Sequence, residues 1–553
     1  MKKSYAIGLD YGTESARALL VDVRTGEILG QAVEKYPDGV IIEVIPGTKV
    51  HLGHNWALQN PQDWLTTARN TVNRVMQDNG IAPEQVVGLG VDFTACTVLP
   101  TLADGTPLCE LDKLRNEPHA WPKLWKHHAA QEQADRITQL ATEQEQTWLP
   151  RYGGKVSSEW LLPKALEILE EKPGIYAQAA YLVEGADWVT WQLTGELVRN
   201  TCCAGYKGTW HKQDGFPSPS FLTQLNPKLA DLFDAKVAGP LFGPGQRVGF
   251  LSGVWAERLG LTQNCAVSAA IIDAHAAAIG SGLSGSGAMF LIMGTSICHM
   301  LMDEKEVLVE GISGVVEDGI VPGLFGYEAG QVSVGDIFGW FVANAVPAGY
   351  QAEADRKGLS LHQLLSEKAE KLKVGESGLL SLDWWNGCRT PLVDADLTGL
   401  ILGLNLQTRP EEIYRALIEG TAFGTNLIIE LFKKAGVSIS RLQAGGGLTQ
   451  NDLILKIYAD VTHLPIEVAS SQFSSALGAA ILGAVASGVY PSIDEAVKNM
   501  VLPSAQIVMP DPKNHAQYLE LFRIYQQLVE GLGRDPDSPM KLLLSLRDKT
   551  NQI

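Results

Sequence analysis

Two aspartates and two small-residue turns carry the chemistry open to this sequence. Asp10 closes the apolar run Tyr5 to Leu9 and is followed by Gly12, Thr13, Glu14 and Ser15, after which Arg17 leads into a second apolar run, Ala18 to Val23. Two such runs around a tight glycine turn predict a β-hairpin, with Ile28 to Val33 as a third antiparallel strand. In the turn, Gly12 can take a backbone conformation closed to other residues, and exposed N–H groups can face a phosphate. Thr13, Ser15 and Arg17 add donors. Asp10, at a strand end on the rim of the sheet, is placed to hold a divalent cation directly or through water. An ordinary edge hairpin with a polar turn would read the same way. A second copy weighs against it: Ala288 to Met302, AMFLIMGTSICHMLM, is again strand, Gly294-Thr295-Ser296 turn, strand. Two phosphate-sized turns at matching places in two halves imply a nucleotide held between two related domains.

The other aspartate, Asp273, stands where the apolar run Val267 to Ile272 passes into the small-residue helix Ala274 to Ile279. That is also the ordinary place for a helix N-cap, and the residues alone do not separate a cap from a catalytic base. A third glycine turn, Gly445-Gly446-Gly447 in LQAGGGLTQND, lies between a short strand and a helix from Asn451 to Asp460. Strand, glycine turn and helix is also the order of a dinucleotide fold, but the GxGxxG spacing is missing.

These turns, together with Gly399 to Glu419, GLILGLNLQTRPEEIYRALIE, make the chain similar to the FGGY family of sugar kinases over about residues 4 to 490. The resemblance implies an α/β chain with the two-domain actin-like ATPase (ribonuclease H-like) fold and its active site in the interdomain cleft. The expected division is 1–283 and 284–553, at the small-residue stretch Gly280 to Gly287, GSGLSGSG. That stretch could equally be an unusual catalytic loop, but it holds no GxSxG.

The resemblance further implies ATP and Mg²⁺ as cofactors. Gly12, Thr13, Ser15, Arg17, Gly294, Thr295 and Ser296 would meet the phosphates, Gly445, Gly446, Gly447 and Asn451 the adenosine side, and Asp10 the magnesium. Asp273 would be the base that takes a proton from the attacking hydroxyl. GLGVDFTACTVLP, LWKHHAA and CCAGYKGTWH resemble the branch of the family that phosphorylates L-ribulose on its 5-hydroxyl in L-arabinose catabolism. Asp92, Thr94, Ala95, Lys207, Asp273 and Glu328 would then surround the sugar. Lys207 could also be an exposed loop lysine, and Arg389 in WWNGCRT could be structural. His127 departs from the aspartate usual in the family, which weakens a direct substrate role there. Other readings are a kinase for another pentulose or a pentitol, an actin- or chaperone-type ATPase, and a silent sugar-binding relative. The ATPase reading leaves the Gly399 to Glu419 segment unexplained. Intact Asp10, Thr13, Asp273 and Gly445 to Gly447 argue against the silent relative.

Several elements must position these residues. Asn60-Pro61 predicts a capped helix start, with Asp63 reaching back to the cap backbone and Trp64, Leu65, Ala68, Val72 and Val75 on one apolar face. Val86 to Val91 is a buried strand ending at Asp92, in the crevice position of α/β sheets. Helices are expected over Trp121 to Leu140, Ser157 to Glu171 and Tyr176 to Leu193, and a loop over Thr201 to Trp210. Further helices are expected from Pro410 to about Leu431, at Ser474 to Ala484, and over 513 to 533, before a charged tail.

Composition sets the remaining limits. The chain has 553 residues, enough for two large domains, with 45% hydrophobic content. Its 44 basic and 62 acidic residues give a formal charge of -18, which disfavours a nucleic-acid partner. Seven cysteines without a CxxC imply buried thiols of a reducing compartment. With no run of about 18 apolar residues and no signal-like start, no membrane partner and a cytoplasmic location are expected, and a homodimer is compatible.

Overall fold

The computed structural model describes residues 3–504 and 506–551. Its first half is built on β1 (Tyr5–Tyr11), β2 (Ser15–Asp22) and β3 (Ile28–Lys35), an antiparallel meander as expected. α1 (Pro61–Asn79) follows, its N-terminus capped by the Asn60 side chain. Asp63 does not close back on the cap; its carboxylate accepts the Asp38 N–H at 2.9 Å and ties down the incoming loop. β4 (Val86–Phe93) returns parallel to β1 with Asp92 directly opposite Asp10. Next come α2 (Gln131–Glu143), α3 (Leu161–Glu171), α4 (Thr201–Gly208), β5 (Arg247–Phe250), β6 (Ala266–Ser268), β7 (Ile271–Ile272) and α5 (Asp273–Gly280). The sheet runs β3-β2-β1-β4-β6-β5, with β7 also paired to β4.

The second half repeats this plan. β8 (Gly287–Met293) and β9 (Ile297–Asp303) form the second hairpin, followed by β10 (Gly314–Glu317) and β11 (Phe325–Gln331). After α6 (Pro410–Lys434), β12 (Ile439–Gly445) lies parallel to β8, as β4 does to β1. α7 (Asp452–Thr462) leads to β13 (Ile466–Val468), and the sheet order is β10-β11-β9-β8-β12-β13, closed by Ile507–Val508. In both sheets β-strand one is antiparallel to two and parallel to the crossover strand, so each hairpin turn opens at the same corner of its sheet.

α8 (Ser474–Ala486) joins the halves. It follows the second sheet in the chain yet packs in the core of the first, with Ala476, Leu477, Ala480 and Ile481 buried among β1, β4 and α5 residues. Backbones nearly touch along this seam. A Cβ on Gly8 would lie 1.8 Å from Ala476 O, and one on Gly478 would lie 1.9 Å from Ala276 O. The small-faced helix is thus explained: larger residues would force α8 off the sheet whose strand ends carry Asp10 and Asp92. A separate core, from Ile41 to Val237, packs α2, α3 and their loops beside the first sheet.

Several local expectations differ from the structure. Residues 121 to 130 are not helical: Pro122 interrupts, and Lys123 pairs in strand fashion with Val98. Ser157 to Glu171 shortens to α3, and Tyr176 to Leu193 is split by the strand Tyr181–Glu184, which pairs with Val98–Thr101. Tertiary pairing there overrides the helical pattern. Thr201 to Trp210 is a helix, α4, rather than a loop, because the Asn200 side chain accepts the Cys203 N–H and starts it. Beyond the helix Pro512–Leu528, the charged tail carries a further helix, Pro539–Asn551. Among the described residues, no helix is long and apolar enough to cross a membrane.

Candidate active site

The first turn is held from three directions. The Gly12 N–H donates to Ser15 O at 3.0 Å, while Tyr36 donates to Gly12 O at 3.0 Å and Gln59 Nε2 to Thr13 O at 2.8 Å. The Trp125 indole N–H reaches Thr13 Oγ1 at 3.1 Å. Gly12 itself is not in the left-handed region, so its backbone freedom is not what the turn requires. Arg17 is shared with Asp10: its Nη1 donates to Asp10 Oδ2 at 2.8 Å and its guanidinium lies 5.2 Å from the Phe473 ring centre, while its Nε has no partner. It orients Asp10. Ser15 opens β2 beside them.

In the second turn, Gly294 N–H donates to Ser296 O at 2.9 Å, and Thr295 is exposed. Val334 N–H donates to Thr295 O at 2.7 Å, which seats the turn on the helix Gly335–Asn344. The positive-φ glycine is Gly446, at φ 98°, where a Cβ would stand 2.5 Å from Met293 O. Gly447 has open space around it, and with Asn451, Ser366, His362 and Phe338 it lines a cleft of about 630 Å³. Asn451 is committed on both ends of its amide: it caps α7 through Leu453 and Ile454 N–H and donates to Ser366 Oγ at 2.8 Å. It shapes that cleft as a wall.

Asp273 is not an N-cap. Ile272 occupies the cap position, and the Asp273 carboxylate, first in α5, accepts only the Ala274 N–H, at 2.6 Å. Burial and the nearby Asp10 push its carboxyl up to about 7, against the pull of that N–H. Asp92 is fully buried, and neither of its oxygens finds a donor. It stands opposite Asp10 in the β1–β4 register, and burial together with Asp10 pushes it well above the usual carboxylate range. Three carboxylates thus stand at the adjoining ends of β1, β4 and β7.

Lys207 and Glu328 meet across the two halves. Lys207, on α4, donates to both Glu328 oxygens on β11, at 3.2 and 3.0 Å, in a buried pair. Burial disfavours both charges, but each holds the other ionised: Lys207 is pushed up and Glu328 down. The pair lines a cleft of about 840 Å³ together with Trp160, Glu159, Arg389 and His128. Ala95 is half-buried near the same strand ends, whereas the Thr94 hydroxyl turns inward to Thr97 Oγ1 at 3.2 Å. The loop carrying them bends at Cys96, at φ 59°, and Lys164 on α3 pins it by donating to Cys96 O at 2.6 Å and Leu124 O at 2.9 Å.

His127 lies in the interior. Its Nε2 is 3.0 Å from Glu167, which also takes the buried Lys123 ammonium at 3.1 Å. His119, Glu167 and Glu171 come within 4.8 Å of one another at their ligating atoms, but the Lys123 ammonium already supplies the cation there. Trp125, Gln59 and Lys164 were the positioning residues that sequence reasoning missed. Only Trp125 stood in a motif singled out beforehand, and nothing local marks the other two.

Comparison with known proteins matches residues 5–280 to the N-terminal domain and 289–487 to the C-terminal domain of the FGGY family of carbohydrate kinases. The chain is 49% identical to a ribulokinase from Geobacillus thermodenitrificans, over 98% of this chain and 97% of that one. It is 40% identical to a ribulokinase from Staphylococcus aureus over 98% and 99%. Among solved structures, a ligand-bound xylulose kinase from Lactobacillus acidophilus superposes with a TM-score of 0.79 at 18% identity, covering 95% of this chain and 98% of that one. At that identity the likeness speaks for the fold alone.

Proposed function

Because the chain belongs to the FGGY family of carbohydrate kinases, we propose that it transfers the γ-phosphoryl group of ATP to the 5-hydroxyl of L-ribulose, giving L-ribulose 5-phosphate and ADP. The observation that carries the reading is the placement of Asp273. It is a half-buried carboxylate in the first turn of α5 rather than at its cap position, beside Asp10 at the adjoining strand ends that also carry the first phosphate-sized turn. Near-full-length identity of 49% to a ribulokinase supports the sugar.

Each group has one part in the transfer. The Gly12 and Gly294 N–H groups close their own turns, which leaves Thr13 and Thr295 to offer N–H groups and hydroxyls to the phosphates, and the cleft at Gly447 takes the adenosine. A divalent cation fits the first turn, since Asp10 has one oxygen held by Arg17 and Asp92 beside it has two buried oxygens without a donor. Asp10, with Asp92 next to it, would hold Mg²⁺, which when bound neutralises charge on the phosphate oxygens. Asp273 accepts the proton of the sugar 5-hydroxyl as that oxygen bonds to the γ-phosphorus and the bond to the bridging oxygen of ADP breaks. The Lys207–Glu328 pair, contributed by both halves, presents a donor and an acceptor to the sugar hydroxyls.

ADP release is the direct test, with L-ribulose, D-ribulose, xylulose, ribitol and glycerol as acceptors. L-ribulose is expected to have the highest kcat/KM and D-ribulose a lower one. Release that no sugar stimulates would refute the kinase reading, and a preference for xylulose or glycerol would refute the sugar. Lys207→Ala is expected to lower kcat/KM for L-ribulose tenfold or more, about 1.4 kcal/mol. Unchanged sugar kinetics in that variant would remove Lys207 from the pocket.

A further inference from the structure

Arg389 has no partner for its guanidinium. Among the described residues it makes no side-chain hydrogen bond and no ion pair, although it is half-buried and lines the same cleft as Lys207 and Glu328. The more deeply buried arginines Arg199 and Arg415 are saturated: Arg199 donates to three main-chain carbonyls, and Arg415 to Glu419, Tyr518 and two carbonyls. Its five donors are left to solvent or to a ligand in the cleft.

The main chain around Arg389 is fixed, so the side chain is aimed rather than loose. Thr390 N–H donates to Gly330 O at 3.2 Å and Thr390 Oγ1 to Gly311 O at 2.9 Å, while Cys388 and Asp394 exchange two 2.8 Å bonds. The guanidinium lies over Gly330 of β11, where a Cβ would come 3.4 Å from Arg389 Nη1. Gly330 shares a strand face with Glu328 two residues away, a separation of about 7 Å, comparable to an extended five-carbon sugar. Glu328 acts on the arginine by charge but makes no ion pair with it, while both its oxygens accept from Lys207. The cleft that Arg389 lines contains no residue of either phosphate turn.

We propose that Arg389 is a substrate-binding residue whose guanidinium takes the carbonyl-bearing, non-reacting end of the open-chain ketose held by Lys207 and Glu328. This rests on the kinase reading for the identity of the sugar. It adds a contact that favours a ketose over a pentitol, because a carbonyl oxygen only accepts, whereas the pentitol hydroxyl in that place accepts but also brings a hydrogen that a donor-only guanidinium cannot take.

Binding of L-ribulose and of ribitol to the full chain, measured calorimetrically without ATP, tests it. In Arg389→Gln the L-ribulose Kd is expected to rise about tenfold or more, with a smaller rise for ribitol and an unchanged Kd for a non-hydrolysable ATP analogue. Arg389→Lys, which keeps the charge, should recover part of the loss and covers the case in which the glutamine variant fails to fold. An L-ribulose Kd within twofold of wild type, an equal loss for both sugars, or a loss confined to the nucleotide would each overturn the assignment. Because binding is read without turnover, a wild-type chain that binds L-ribulose but does not phosphorylate it would sink the reaction and leave this contact standing.

Discussion

Asp273→Asn is expected to lower kcat by about 10² to 10⁴-fold, the contribution of a general base, with sugar affinity and melting temperature close to wild type. Stability should hold because the carboxylate makes one bond, to the Ala274 N–H, and an amide oxygen can accept it equally well. A capping residue would behave otherwise, since Asn caps as well as Asp and turnover would survive. The base must be ionised to act. With its carboxyl raised to about 7 by burial and by Asp10, kcat/KM for the sugar should fall tenfold per pH unit on the acid side of an inflection near or below pH 7. A cation held at Asp10 would move that inflection down, so raising Mg²⁺ should shift it to lower pH. A flat profile between pH 5 and 8 would rule Asp273 out as the base.

Glu167→Gln should be the most destabilising change in the α2–α3 region, at about 3–5 kcal/mol, because it strands a buried lysine. Lys123 and Glu167 both have fully enclosed side chains, 3.1 Å apart, and the Lys123 ammonium also lies 3.9 Å from the centre of the Trp56 ring. Burial alone would push the Glu167 carboxyl up, but Lys123 and His127 overcome it and hold the group at about 2. A depressed folded-state pKa means that this stabilisation is present above the unfolded value and is lost as pH falls toward 2. Removing both charges, as Lys123→Met with Glu167→Leu, should recover most of the loss, since apolar replacement of a whole buried pair is often neutral. Urea unfolding of the single and double variants measures this. A single variant as stable as wild type would show that the lysine is not stranded.

The sequence by itself determined the elements whose signals are local. The two hairpins were legible because apolar runs around Gly12 and Gly294 leave few alternatives, and α1 because Asn60-Pro61 caps it. Asp10 and Thr13 stood out because strand ends and turns are where polar groups reach a crevice, whereas the role proposed for Asp273 came from the family resemblance. The sugar pocket was legible only through resemblance. Lys207 meets Glu328 from 121 residues away, and no spacing rule connects them.

Only the tertiary structure decided the rest, for the reason that long-range contact outweighs local preference. Pairing with Val98–Thr101 turned Tyr181–Glu184 from helix to strand. Packing of α8 on Gly8 bound the second half of the chain into the first core. The pairing of Arg17 with Asp10 and the register that sets Asp92 opposite Asp10, β4 lying parallel to β1, are likewise outcomes of strand pairing. Asp273 looked like a cap in sequence because caps and bases share the strand-to-helix junction; the structure gives the cap position to Ile272 and leaves the carboxylate half-buried beside Asp10.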